Sequence, residues 1–227
     1  MHYLVLMRVE AVLQEALQQK HFIKFSYICN TMRNLIINLA VMLLLATSCT
    51  SNDNQSMTKD FMTLATERYS VRKFSDKPVE QEKIDKILQA GKVAPTAVNS
   101  QPQKIYVATT PESIAALNTV SPCIYGAPQC FVFCYNDATV CKRGENDNYG
   151  DIDVTIVLTH MMLQAQELGI GTCIVGYFDQ QKIKEVLDIP ESIHPILIMP
   201  FGYAAPDSEP SPKHTEYRPL EETVEYR

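Results

Sequence analysis

From residue 58 onward the apolar positions recur at two spacings. Phe61, Leu64 and Ala65 follow Thr58, a candidate N-cap, at helical spacing and predict a first helix. Ile84, Ile87, Leu88 and Gly91 repeat at i, i+3, i+4, i+7 and predict a second. Pro111, in a first-turn position, opens a short helix over "PESIAALNTV". Val154, Val157, Leu158, Met161, Ala165 and Leu168 form one stripe, the longest helix, which Gly169 should close. Asp179 can cap a further helix over "QQKIKEVLDI", with Ile183, Val186 and Leu187 inward. Between these segments lie runs rich in β-branched and aromatic residues: "KIYVAT", "CFVFCY", "TCIVGYF" and "HPILIMPFGY". They predict strands, with "CFVFCY" and "HPILIMPFGY" buried. The order is helix, helix, strand, helix, strand, long helix, strand, helix, strand and polar tail. That order predicts a mixed α/β three-layer domain.

The front of the chain has a different pattern. In "MRNLIINLAVMLLLATSC", residues 32–49, Arg33 precedes an apolar run from Leu35 to Ala46, and small residues lead to Cys49. A charged start, a short apolar core and a small-residue end are the marks of a secretory signal. The run is shorter than the roughly 20 residues a membrane-spanning helix needs. The cysteine after "ATS" resembles the lipobox of bacterial lipoproteins, although Ala46 stands where leucine is usual. Residues 50–57 then read as a polar tether, and 58–227 as the folded domain. Residues 1–31 are either an upstream extension of a chain that starts at Met32 or an amphipathic helix around Val9 to Leu17. The expected location is a bacterial envelope, with anchoring through a lipidated Cys49; the alternative is cytoplasmic.

Composition narrows the function classes. The 227 residues are 46% hydrophobic and 20% charged, with a net charge of -6, which argues against a nucleic-acid binder. None of the seven cysteines forms a C-x-x-C pair, and no histidine stands near them at zinc-site spacing, so no structural metal is expected. Buried free thiols are the expected state. Neither a G-x-G-x-x-G dinucleotide fingerprint nor a G-x-S-x-G nucleophile elbow occurs.

Four short stretches could carry chemistry. "ERYSVRKF" places Arg68, Ser70 and Arg72 between the first two helices. If this segment is not helical, both guanidinium forks can turn to one phosphate, with Ser70 adding a donor. If it is helical, they are solvated charges at a helix end. "APTAVNSQPQ" carries two amides, Asn99 and Gln101, which offer donor and acceptor together and suit a planar heterocycle, or else form a turn. "ELGIGTCIVGYFD" has glycines that allow close backbone approach. Lys213 and Arg218 add positive charge in the tail.

Taken in order, "RYSVRKF", "APTAVNSQP", "LGIGTCIVGYFD", "PFGYAAP" and "PK…RPLEETVEY" resemble the FMN-dependent nitroreductase family, from about Phe61 to the C-terminus. The resemblance implies an α+β fold with a central, mostly antiparallel sheet flanked by helices. It implies FMN as cofactor, NADH or NADPH as co-substrate, and ping-pong hydride transfer through flavin N5 to a nitroaromatic, quinone or similar acceptor. It also implies a homodimer with active sites at the interface, in which "TVEY" could add a strand to the partner's sheet. Arg68, Ser70 and Arg72 would hold the flavin phosphate and ribityl chain, with Lys213 and Arg218 reaching the phosphate. Asn99 and Gln101 would contact ribityl and ring. Pro95 and Thr96 would face the flavin of the other subunit, and Val175 and Gly176 would lie near N5. No side chain is expected to act as a nucleophile. Departures from the family pattern fall at Thr96, Gln103, His160 and Gly176–Tyr177, positions that by the resemblance would shape the pocket. His160 and His194 read as structural. An anchored protein that binds a flavin or another phosphorylated ligand without turnover is the alternative reading.

Overall fold

The computed structural model describes residues 60–227, together with Glu15, Gln18, Gln19 and Met32. The chain divides into two compact units, Met1–Met57 and Thr58–Arg227, and every element named below belongs to the second. The signal, lipobox and tether segments lie outside the described residues, as does Thr58.

Helix α1 (Phe61–Glu67) is capped by Asp60, whose carboxylate accepts from the Met62 and Thr63 amides. The expected cap at Thr58 is thus replaced by a residue two positions later, whose carboxylate can accept two amides at once. Helix α2 (Gln81–Lys92) and the 18-residue helix α4 (Gly150–Glu167) carry the predicted stripes. Between them come strand β1 (Gln103–Ala108), helix α3 (Pro111–Val120) and strand β2 (Gln129–Asn136). Strand β3 (Gly171–Thr172), helix α5 (Gln180–Val186) and strand β4 (Ile193–Gly202) follow. A 3-10 turn at Pro212–Thr215 and a short helix α6 (Leu220–Thr223) complete the tail. Val224 is extended, but residues 224–227 form no strand within this chain.

The sheet is antiparallel throughout, in the order β1-β2-β4-β3. Its central strand β2 is buried on both faces, and alternation sorts its side chains. Phe131 and Phe133 join Met199 and Phe201 of β4 against Ile84 and Ile87 of α2 and Val157 and Met161 of α4. Cys130, Val132 and Cys134 face Leu117 of α3 and Ile183 of α5. This two-sided burial is why "CFVFCY" reads as one apolar run rather than an alternation. The helices therefore form a layer on each side of the sheet, and the expected three-layer α+β arrangement is what the chain adopts. Gly169, with φ of 73°, ends α4 in the left-handed conformation that glycine tolerates best.

One strand is shorter than expected. "TCIVGYF" contributes only Thr172 to β3, which pairs Gly171 with Gly202 and Thr172 with Phe201. The next partner along β4 is Pro200, which accepts from Cys173 N but has no N–H to return. The ladder stops there and resumes as one isolated bridge between Val175 and Ile198. No helix among the described residues is long and apolar enough to cross a membrane.

Candidate functional site

Helix α1 ends at Arg68, whose φ of -64° and ψ of 129° turn the chain into an extended path. Val71 and Phe74 are buried in the core, while Arg68, Ser70 and Arg72 border a common pocket. The two readings of "ERYSVRKF" separate at this point: the segment is not helical, and its path brings both arginines and the serine to one pocket. Its position is fixed by the sheet. Ser70 bridges Thr172 of β3, and Val71 N donates to Thr172 O at 2.9 Å. Further on, Phe74 bridges Ala204 and Ser75 N donates to Tyr203 O.

Arg68, Tyr69, Ser70 and Arg72 line a pocket of about 330 Å³ with Ser211, Lys213 and His214 from the tail. The tail reaches the pocket because it is tied back. His214 Nε2 contacts Thr66 O at 3.2 Å, and its ring meets Tyr69 edge-on. The Ser211 hydroxyl accepts from Lys213 N and starts the 3-10 turn that carries Lys213. Lys73, the third cation of "RYSVRKF", stands apart and pairs with Asp207.

Three cations and two hydroxyls converge on this pocket, with Arg72, Ser211 and Lys213 exposed, and such a donor set suits an anion with several oxygens, such as a phosphate. The positive potential extends beneath it. Burial pushes the Cys173 thiol up, but Arg72, Ser70 and Arg68 pull it back toward the thiolate. The Tyr125 hydroxyl is likewise pushed up by Cys123 and by burial, against the pull of Arg72. Tyr125 itself has a left-handed φ of 58° beside this cluster.

The remaining candidates do not line this pocket. Pro95, Thr96, Asn99 and Gln101 occupy the loop before β1. Val98, Asn99 and Gln101 there all have positive φ. Gln101 N donates to Thr96 Oγ1 at 3.0 Å, Gln101 Nε2 donates to Asn99 Oδ1 at 3.2 Å, and Ala97 N donates to Asp153 Oδ1 of α4 at 2.8 Å. Val175 is buried in its bridge to Ile198, and Gly176 and Tyr177 are exposed; they continue from Thr172, the residue that holds Ser70. Arg218 lies beyond the 3-10 turn and outside the pocket. His160 contacts its own helix through Ile156 O. His194 contacts Asp137 at 2.7 Å and stacks on Tyr135.

Sequence reasoning missed Tyr69, Ser211, His214 and Asp153. The serine before "PK" was a readable cap signal; the contact of His214 with Thr66, 148 positions away, was not.

Comparison with known proteins bears on the family and the fold. The model of the nitroreductase family matches residues 65–123 and 121–203. The chain is 30% identical over 168 residues to an NADPH-dependent oxidoreductase of Staphylococcus haemolyticus, covering 66% of this chain and 67% of that protein. It is 28% identical over 167 residues to an FMN reductase (NAD(P)H) of Bacillus subtilis, covering 65% and 67%. A crystal structure of a nitroreductase family protein from Clostridium difficile superposes with a TM-score of 0.69 at 38% identity, covering 74% of this chain and 98% of that one. With more than half of its length matched and the fold shared, this chain belongs to the nitroreductase family.

Proposed function

We propose that the chain is an FMN-dependent oxidoreductase that takes electrons from NADH or NADPH and passes them, in ping-pong fashion, to a small acceptor such as a nitroaromatic or a quinone. The observation that carries this reading is the anion pocket of Arg68, Ser70, Arg72 and Lys213, set against a sheet edge by the Ser70–Thr172 bridge. The relatives' names, one an FMN reductase using NAD(P)H, support it. FMN, when bound, supplies reversible hydride chemistry that no side chain of the pocket offers.

The chain's residues then have separable tasks. Arg68, Arg72 and Lys213 neutralise the phosphate, and Ser70 and Ser211 donate to its oxygens. Asn99 and Gln101 supply amides to the ribityl chain and ring edge. Backbone at Val175 and Gly176 borders the reactive edge, where the absence of a Cβ at Gly176 leaves room for a co-substrate. Pro95 and Thr96 serve the site of a second subunit, so the working form is a homodimer. Cys49 anchors the mature protein to an envelope membrane.

The phosphate assignment is tested by comparing FMN with riboflavin, which lacks the phosphate. A charge-assisted hydrogen bond contributes about 1.5–3 kcal/mol, so FMN should bind at least about 100-fold more tightly. Arg72→Ala should narrow that gap by about tenfold or more, with riboflavin affinity unchanged. Equal affinities for the two flavins would remove the phosphate from this pocket.

A further inference from the structure

The amide loop is held in a costly backbone shape. Val98, Asn99 and Gln101 have φ of 50°, 57° and 47°. Asparagine tolerates this region, but a β-branched valine there is an outlier costing about 1–3 kcal/mol. Val98 is 86% exposed, so burial of its side chain does not offset that cost. Four hydrogen bonds impose the shape. Three are internal: Asn99 N to Thr96 O, Ser100 N to Ala97 O, and Gln101 N to Thr96 Oγ1. The fourth, Ala97 N to Asp153 Oδ1 at 2.8 Å, ties the strained segment to helix α4.

Asp153 is an unusual anchor. It is 2% exposed and lies in the first turn of α4, where the helix dipole favours a negative side chain. Among the described residues its second oxygen, Oδ2, has no hydrogen-bond partner, and neither do the buried Ser100 Oγ of the adjoining loop and Gln103 Oε1 at the start of β1. Burying a carboxylate with one oxygen unpartnered is expensive, and an apolar residue would pack there at less cost. What the carboxylate supplies is the acceptor for Ala97 N.

We propose that Asp153 is a positioning residue: through Ala97 it sets the left-handed turn that presents Asn99 and Gln101, and thereby flavin binding at the ribityl and ring end, without touching the flavin. This rests on the FMN reading above. Asp153 acts on one end of the ligand only, so its loss weakens FMN and riboflavin by the same factor.

The test has a flavin-free arm and a ligand arm. In the flavin-free protein, hydrogen exchange read by mass spectrometry over residues 96–101 should quicken at least about tenfold in Asp153→Ala, with β2 and β4 unchanged. In titrations, FMN and riboflavin should both weaken about tenfold or more, leaving their affinity ratio as in the wild type. Asp153→Asn keeps an acceptor oxygen and should restore both exchange and affinity. Ala97→Pro removes the donor instead, at a first helical position that proline suits, and should reproduce the loss. The double variant should be no weaker than either single change. Unchanged exchange in Asp153→Ala, a failure of Asp153→Asn to rescue, or a changed FMN-to-riboflavin ratio would each overturn the proposal. If Asp153→Ala does not fold, Ala97→Pro decides alone. If the wild type binds neither flavin, the FMN reading fails, while the exchange comparison still decides whether Asp153 positions the loop.

Discussion

Gly171→Ala should damage the anion pocket without altering any residue that lines it. A Cβ on Gly171 would stand 2.6 Å from Val71 Cγ2 and 3.1 Å from Val71 Cβ. Carbon atoms rest about 3.5–4.0 Å apart, so one side must move by roughly 1 Å. Val71 has little freedom: it is 2% exposed, and β-branching restricts its χ1. Its backbone is joined to Thr172 O at 2.9 Å. The displacement therefore passes to Ser70 and Arg72 on either side. Overpacking of this kind costs about 1–3 kcal/mol, a fall in Tm of roughly 2–12 °C for a domain of this size. If the shift breaks one charge-assisted contact to the phosphate, FMN affinity falls roughly 10- to 150-fold. Thermal denaturation and FMN fluorescence titration read the two effects. Val71→Ala on top of Gly171→Ala removes the closer, Cγ2 contact, leaves the Cβ contact at 3.1 Å, and should recover part of the affinity. Gly144→Ala, with no atom within 4 Å of the new carbon, is the neutral control. A Gly171→Ala protein with wild-type Tm and wild-type FMN affinity would refute the claim that the sheet edge positions this segment.

Acid stability should have a readable contribution from Glu80. The Tyr203 hydroxyl, and then Lys77, lower its carboxyl from 4.5 to about 2. The folded value is the depressed one, so the contribution is complete above 4.5 and lost as pH falls toward about 2. Glu80→Gln should flatten the acid limb of a plot of Tm against pH; an unaltered limb would dismiss the Tyr203 contact as inconsequential. Thiol labelling should separate the cysteines. Burial pushes the Cys130 and Cys134 thiols up to about 12, so both should resist a thiol reagent at mildly alkaline pH in the folded protein, while the partly exposed Cys141 reacts. Rapid labelling of all described cysteines would contradict the two-sided burial of β2.

The parts of this molecule that could be read from sequence are those set by local chemistry. The stripe on α4, the proline opening α3, the Asp179 cap and the glycine after α4 each have a cause within a few residues. The strand β2 was readable because burial on both faces makes "CFVFCY" one apolar run between Gln129 and Asn136. The extent of β3 was not, because it depends on Pro200, a residue of another strand. "ERYSVRKF" shows the same limit at the site. Its composition fits a helix end or an anion site, and what decides is the exit of the chain at Arg68 into an extended path held by Thr172. Lys213 by its local sequence is a surface charge; the contact of His214 with Thr66 is what brings the tail to α1. Asp153 has no sequence signal beyond its place in the first turn of a helix.

The most direct test of the account is a single optical experiment on the purified full-length protein reconstituted with FMN. Under anaerobic conditions, addition of NADH or NADPH should bleach the visible flavin band, and a nitroaromatic or quinone added afterwards should restore it. A protein that takes up no FMN, or whose bound FMN is left unbleached by both nicotinamides, would contradict the account.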